Sequence, residues 1–129
     1  MSESKRDWKT YSQEGVFLRF IAQEDRKHKG SVIHDWLLMA AKKLGIPGGS
    51  AFHGIAGYGR HGILHEQHFF ELTGLPVETR FVCSEEDAYK LLDLVEQEQL
   101  SLFYVMSPTR FGIAAVEKND WLKALLPID

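Results

Sequence analysis

Two stretches of alternating side chains are each followed by a stretch with helical spacing, and this repeated pairing limits the possible folds more than any other feature. In the first, Val16 to Ala22, residues Val16, Leu18, Phe20 and Ala22 fall on one face and Phe17, Arg19 and Ile21 on the other. That is the period-two pattern of a strand rich in β-branched and aromatic residues. A charged loop, Glu24 to Gly30, follows. Ser31 is placed to cap a helix beginning at Val32, in which Ile33, Trp36, Leu37, Ala40, Ala41 and Leu44 recur at helical spacing. Gly45 ends that helix and Pro47-Gly48-Gly49 makes a turn. The second unit starts at Val77 to Cys83, with Val77, Thr79, Phe81 and Cys83 on one side. Ser84, with Asp87 three residues on, resembles a capping box, and Ala88, Leu91, Leu92 and Val95 form the helical stripe behind it.

Between the two units, Ala51 to Gly57 is short and apolar and reads as a strand, while Tyr58 to Gly74 reads as a loop with some local order. Leu102 to Met106 is a last strand, stopped by Pro108, and Asn119 or Asp120 is placed to cap a short final helix carrying Trp121, Leu122 and Leu125. The order is β-α-β-β-α-β, so the expected class is α+β: a ferredoxin-like sandwich, a four-stranded antiparallel sheet with both helices on one face. Residues 1–14 are expected to be a flexible arm with Trp8 and Tyr11 as anchors, and residues 15–129 one domain, with a core of about 16–106 and an extension over 107–129. The helix-free face would carry Phe17, Ile21, Val82, Phe103 and Val105, an apolar patch that a monomer seldom exposes. Closed self-association would bury it. The arm or the C-terminal segment folding over the face is the other way to cover it.

A chain of 129 residues with 44% hydrophobic residues suffices for one packed domain. The net charge of -3 gives no global attraction to nucleic acid. The single cysteine, Cys83, excludes an internal disulfide and, at the end of an apolar strand, reads as a buried, inert thiol. The N-terminus lacks the apolar core of a signal peptide, and no apolar run approaches the ~20 residues that span a bilayer, so the expected location is the cytoplasm without direct membrane insertion.

None of the common nucleophile, metalloprotease, P-loop or dinucleotide motifs is present. Ser31 and His34 are close in sequence, but Ser31 is better used as a cap. Glu66 and Glu71 read as surface carboxylates, and the basic run Arg26-Lys27-His28-Lys29 as a solvated loop. The expectation is therefore that the protein is not an enzyme, with a small enzyme lacking any recognisable motif as the least favoured alternative. Gly54, Gly57, Gly59 and Gly62 allow positive φ and close backbone approach. An anion could rest on such amides with Arg60 as a forked counter-charge. The same glycines would equally serve a bulge or close subunit packing. His61, His65 and His68 follow at spacings of four and three, a face that could ligate a divalent metal if the segment were helical.

The run Gly54-Ile55-Ala56-Gly57-Tyr58-Gly59-Arg60-His61-Gly62-Ile63-Leu64-His65 closely resembles the glycine-rich motif of a PII-like family of unknown function. Leu18-Arg19-Phe20, Glu24-Asp25-Arg26 through Gly30, and Leu75-Pro76-Val77 resemble further segments of that family, so the likeness spans roughly Phe17 to Met106. The same run looks like the base of the T-loop of PII signalling proteins, with His61 where a glutamine would stand. The resemblance implies a homotrimer holding a nucleotide or other small anion in inter-subunit clefts, with Gly57, Gly59, Arg60, His61 and His65 at the ligand. It also implies a regulated protein or membrane channel as the partner that reads the bound state. Two departures are plain. The interval Gln97-Glu98-Gln99-Leu100-Ser101 lacks the glycines of the PII phosphate loop, and no tyrosine follows Tyr58 in the loop. The fold is also similar to that of CutA-type copper-tolerance proteins, which keeps metal binding by His61, His65 and His68 as the alternative.

Overall fold

The strand read from Val16 to Ala22 extends in both directions. In the computed structural model, which describes residues 5–58, 64–65 and 75–120, the first strand β1 covers Gln13–Gln23. It therefore starts inside the stretch expected to be an arm. A two-residue ribbon follows, β2 (Lys27–His28) paired with β3 (Ser31–Val32). Then come helix α1 (Ile33–Lys43), β4 (Gly49–His53), a second small ribbon of β5 (Gly57–Tyr58) and β6 (Leu64–His65), β7 (Pro76–Cys83), helix α2 (Glu85–Gln97) and β8 (Phe103–Phe111). A 3₁₀ turn at Lys118–Asp120 is the last described element. The final helix expected around Trp121, Leu122 and Leu125 lies outside the described residues.

The main sheet has four strands in the order β4-β7-β1-β8, every neighbour antiparallel. With two crossing helices, this is the ferredoxin-like α+β arrangement expected from the element order. Val16, Leu18 and Phe20 of β1 and Phe81 and Cys83 of β7 project to one side. There they pack with Ile33, Leu37, Ala40 and Ala41 of α1 and with Ala88, Leu91 and Val95 of α2 in a single core cluster. The alternation thus assigns both helices to the same face.

Three sequence expectations are corrected. Ser31 does not cap α1. It belongs to β3 opposite His28; the cap residue is Val32, without a side-chain bond, and the Ile33 N–H donates instead to the Arg26 carbonyl at 3.0 Å. The strand expected at Ala51 to Gly57 is Gly49–His53. Gly49 sits opposite Phe81, where an added Cβ would stand 2.5 Å from the ring, so the pairing requires a residue without a side chain there. Pro108 does not stop β8, which runs on to Phe111. Because β8 is an edge strand, proline is tolerated within it.

The helix ends follow their local chemistry. Gly45, at φ 88°, closes α1, with the Gly45 N–H donating to the Lys42 carbonyl and the Ile46 N–H to the Ala41 carbonyl, the bond pair of a glycine-terminated helix. At α2 the Ser84 hydroxyl accepts from the Asp87 N–H at 3.1 Å, as the sequence predicts. Ser84→Ala should destabilise the domain by about 1 kcal/mol in a urea melt.

The helix-free face differs from the apolar patch expected of it. Ile21, Val82 and Phe103 are indeed exposed there. Its centre, however, is charged. Arg19 and Arg80 stand directly opposite one another on β1 and β7, a pairing of like charges that alone would be unfavourable. Glu78 lies between them, 3.9 Å from Arg19 and hydrogen-bonded to Arg80 Nε. Each guanidinium also covers a ring, Arg80 at 4.4 Å from the Phe52 centroid and Arg19 at 5.4 Å from that of Phe17. Arg110, near the end of β8, donates to the Lys9 carbonyl and Ser12, Lys118 to the Thr10 carbonyl and Arg6 to the Val116 carbonyl, tying residues 6–12 to the end of β8 and the segment after it.

Candidate functional site

The glycine-rich run leaves the sheet and returns to it at one place. β4 delivers the chain at His53 and Gly54, β7 receives it at Leu75 and Pro76, and the end of β1 lies beside both. The Gly54 N–H donates to the Pro76 carbonyl at 2.8 Å, and the Glu24 N–H to the Leu75 carbonyl at 2.7 Å. Close approach explains Gly54, since a Cβ there would stand 3.0 Å from Pro76 Cγ. Neither Gly54 nor Gly57 uses the left-handed conformation that glycine permits, and Gly57 has open space where a side chain would be. Of the two uses that glycine allows, Gly54 therefore takes the close backbone approach and neither position takes positive φ.

Within the excursion, Gly57 faces His65 and Tyr58 faces Leu64 across the β5–β6 ribbon. Two of the predicted site residues, Gly57 and His65, are thus brought directly opposite one another. Gly59, Arg60 and His61, the metal candidate His68 and the carboxylates Glu66 and Glu71 lie outside the described residues.

The stems hold a polar constellation that sequence reasoning missed. Glu24 Oε2 lies 2.7 Å from His53 Nε2, and Glu24 Oε1 accepts from the Leu75 N–H at 3.3 Å. One carboxylate therefore touches both the outgoing and the returning stem. The bond to His53, then the bond from Leu75, hold the Glu24 carboxyl below its ordinary value. A carboxylate so lowered contributes stability that is in place above the ordinary value and is lost as pH falls through the lowered one.

A second cluster lies at the other end of the short β2–β3 ribbon. Glu98, just past α2, is 2.7 Å from His28 Nε2 and 2.8 Å from Lys29 Nζ, and Arg26 donates to the Ser101 carbonyl at 2.8 Å. Lys29, then His28, hold the Glu98 carboxyl below its ordinary value. The His28 ring also meets Trp36 edge-on at 5.3 Å. The basic run expected to be solvated is therefore docked on the end of α2. No local signal predicts either cluster, because the partners are far apart in sequence.

Among the described residues no group of three or more His, Cys, Asp or Glu is placed to hold a metal. Burial pushes the Cys83 thiol up to about 11, which suits an inert core group. No helix among the described residues is long and apolar enough to cross a membrane.

Residues 15–109 match the model of the DUF190 family, described as "Uncharacterized ACR, COG1993". A UPF0166 protein of Aquifex aeolicus (strain VF5) is 31% identical over 80 residues, covering 61% of this chain and 76% of the relative. Among solved structures, CPII of Thiomonas intermedia K12 bound to ADP and bicarbonate superposes with a TM-score of 0.56 at 21% identity, over 79% of this chain and 92% of that one. A structure of the same nitrogen regulatory PII-like protein with ADP, AMP and bicarbonate gives a TM-score of 0.54 at 19% identity, over 79% and 97% of the two chains. A PII-like signaling protein of Thermus thermophilus gives 0.56 at 16% identity, over 78% and 91%. These structural likenesses establish a shared fold.

Proposed function

The chain belongs to the DUF190 family, and from that premise we propose that it is a cytoplasmic PII-like regulatory protein, not an enzyme, that binds a small anionic ligand of the nucleotide class in the inter-subunit clefts of a homotrimer. The observation that carries this reading is the placement of the glycine-rich run. It leaves the sheet at the end of β4 with both stems bonded beside the end of β1, in a fold shared with proteins solved with ADP and bicarbonate. Gly57 and Gly59 offer backbone amides to the anion, Arg60 its counter-charge, and His61 and His65 polar contacts beside it. The open space around Gly57 suits a ligand approaching the main chain. A regulated protein or membrane channel then reads the bound state, the usual route from ligand occupancy to partner recognition. The trimer uses the helix-free sheet face.

Calorimetric titration with ADP tests the reading. Arg60→Ala removes a charge-assisted contact worth about 1.5–3 kcal/mol, so ADP should bind roughly ten- to hundredfold more weakly, with folding and particle size unchanged. His65→Ala combined with His68→Ala should weaken ADP binding far less than Arg60→Ala, because it removes one polar contact and keeps the counter-charge. If instead the double variant abolishes zinc or copper binding by the parent and Arg60→Ala leaves all anion binding untouched, the metal reading replaces this one.

A further inference from the structure

The segment from Glu24 to Val32 is bonded at one end to both stems of the glycine-rich excursion and at the other to the end of α2. We infer that Glu24 is the positioning residue of the candidate site: its carboxylate clasps His53 and Leu75, fixing where the excursion leaves and re-enters the sheet, and the β2–β3 ribbon carries that fixing to Glu98. The inference deepens the functional reading above and rests on it only for the ligand.

The geometry supports each part. Glu24 is the first residue after β1. Its N–H reaches the Leu75 carbonyl at 2.7 Å while its Oε1 accepts the N–H of the same residue at 3.3 Å, so main chain and side chain grip one point on the returning stem. Its other oxygen lies 2.7 Å from His53, the last residue of β4. Removing the carboxylate leaves the outgoing stem held by the Gly54–Pro76 bond. The titratable groups facing Glu24 are His53 from β4 and, at longer range, His34 from α1, and each acts to lower its carboxyl. Two residues on, Arg26 ties the segment to Ser101 and accepts the Ile33 N–H, and His28 and Lys29 share Glu98. A shift of the stems therefore pulls on a short segment anchored a few residues later at the end of α2.

Native-state hydrogen exchange on the ligand-free protein tests the clasp, because amide exchange reports local opening separately from global unfolding. Glu24→Ala should speed exchange of the Leu75 and Gly54 amides by about tenfold, equivalent to 1.4 kcal/mol. Leu18 and Phe20 in the core should be unaffected. The amides of Gln99 and Leu100, beside Glu98, should respond to the same substitution. Glu24→Gln keeps an oxygen that can accept from the Leu75 N–H and should restore slow exchange there, but less fully at Gly54. His53→Ala should reproduce the effect at Gly54 from the other side. Unchanged exchange at Leu75 and Gly54 in Glu24→Ala overturns the clasp. Equal acceleration of the core amides also overturns it, since that would make Glu24 a contributor to global stability alone. Unchanged exchange at Gln99 and Leu100 overturns the link to α2. ADP titration of Glu24→Ala then measures the consequence for the site. If the parent itself does not bind ADP, the functional reading fails while the exchange data decide the clasp independently.

Discussion

Phe103→Asp is expected to break the proposed trimer into monomers without unfolding them. Phe103 lies on the edge strand β8 opposite Ile21, on the side of the sheet away from both helices, and is 51% exposed in the single chain. A carboxylate there costs the isolated fold little. Buried against a neighbouring subunit without a partner, it costs about 3–5 kcal/mol, enough to weaken each interface roughly a hundredfold to a few thousandfold. The Arg19–Glu78–Arg80 centre sharpens the expectation, because Glu78 already holds both guanidiniums. Light scattering at dilute concentration should read three chain masses for the parent and one for the variant. Tyr89→Asp, a comparably exposed aromatic on α2, should leave the particle size unchanged. A parent that is a stable monomer sinks the assembly, and equal dissociation by both substitutions would mean that the helix-free face is not the interface.

The parts of the fold legible in the sequence are those decided by neighbours in the chain. The period-two patterns of β1 and β7 and the stripes of α1 and α2 declare their buried faces directly, and Ser84 caps α2 through a residue three positions away. The misplaced features depend on partners elsewhere. An apolar run at Ala51 to Gly57 cannot reveal that the strand begins at Gly49 to admit the Phe81 ring. Pro108 reads as a stop until β8 is known to be an edge. Ser31 looks like a cap until His28 takes it into a ribbon.

The candidate site divides the same way. Its glycines are visible as a motif, and the pairing of Gly57 with His65 brings two of the named residues together. The Glu24–His53 and His28–Glu98 contacts join residues 29 and 70 positions apart. Only the fold brings such pairs within reach. Likewise Arg19, Glu78 and Arg80 each look like an ordinary polar position on an alternating strand. Their meeting turns an apparently apolar face into one with a charged centre.

Two aromatic residues of β1 offer the sharpest separation of folding from assembly. Phe20 is 1% exposed, between Thr79 on β7 and Tyr104 on β8, and its ring centroid is 6.4 Å from those of both Phe81 and Tyr104. Truncation to alanine removes a fully packed ring from the strand at the middle of the core, and the backbone of a central strand cannot collapse into the space. Phe20→Ala should therefore cost about 3–5 kcal/mol. Against a typical domain stability of roughly 5–15 kcal/mol, that is a large share of the whole. The urea midpoint should fall in proportion, with an unchanged slope. Phe17, three residues earlier, points to the opposite face, half-buried under Arg19. Phe17→Ala should cost the monomer far less, yet loosen the assembly, because its ring belongs to the proposed interface. The pair must be measured at protein concentrations that hold the oligomeric state fixed, since association itself adds apparent stability. A loss below about 1 kcal/mol for Phe20→Ala would contradict the burial on which the β1 alternation rests. Equal losses for both substitutions in the monomer would mean that the two faces of β1 are not distinguished as the structure has them.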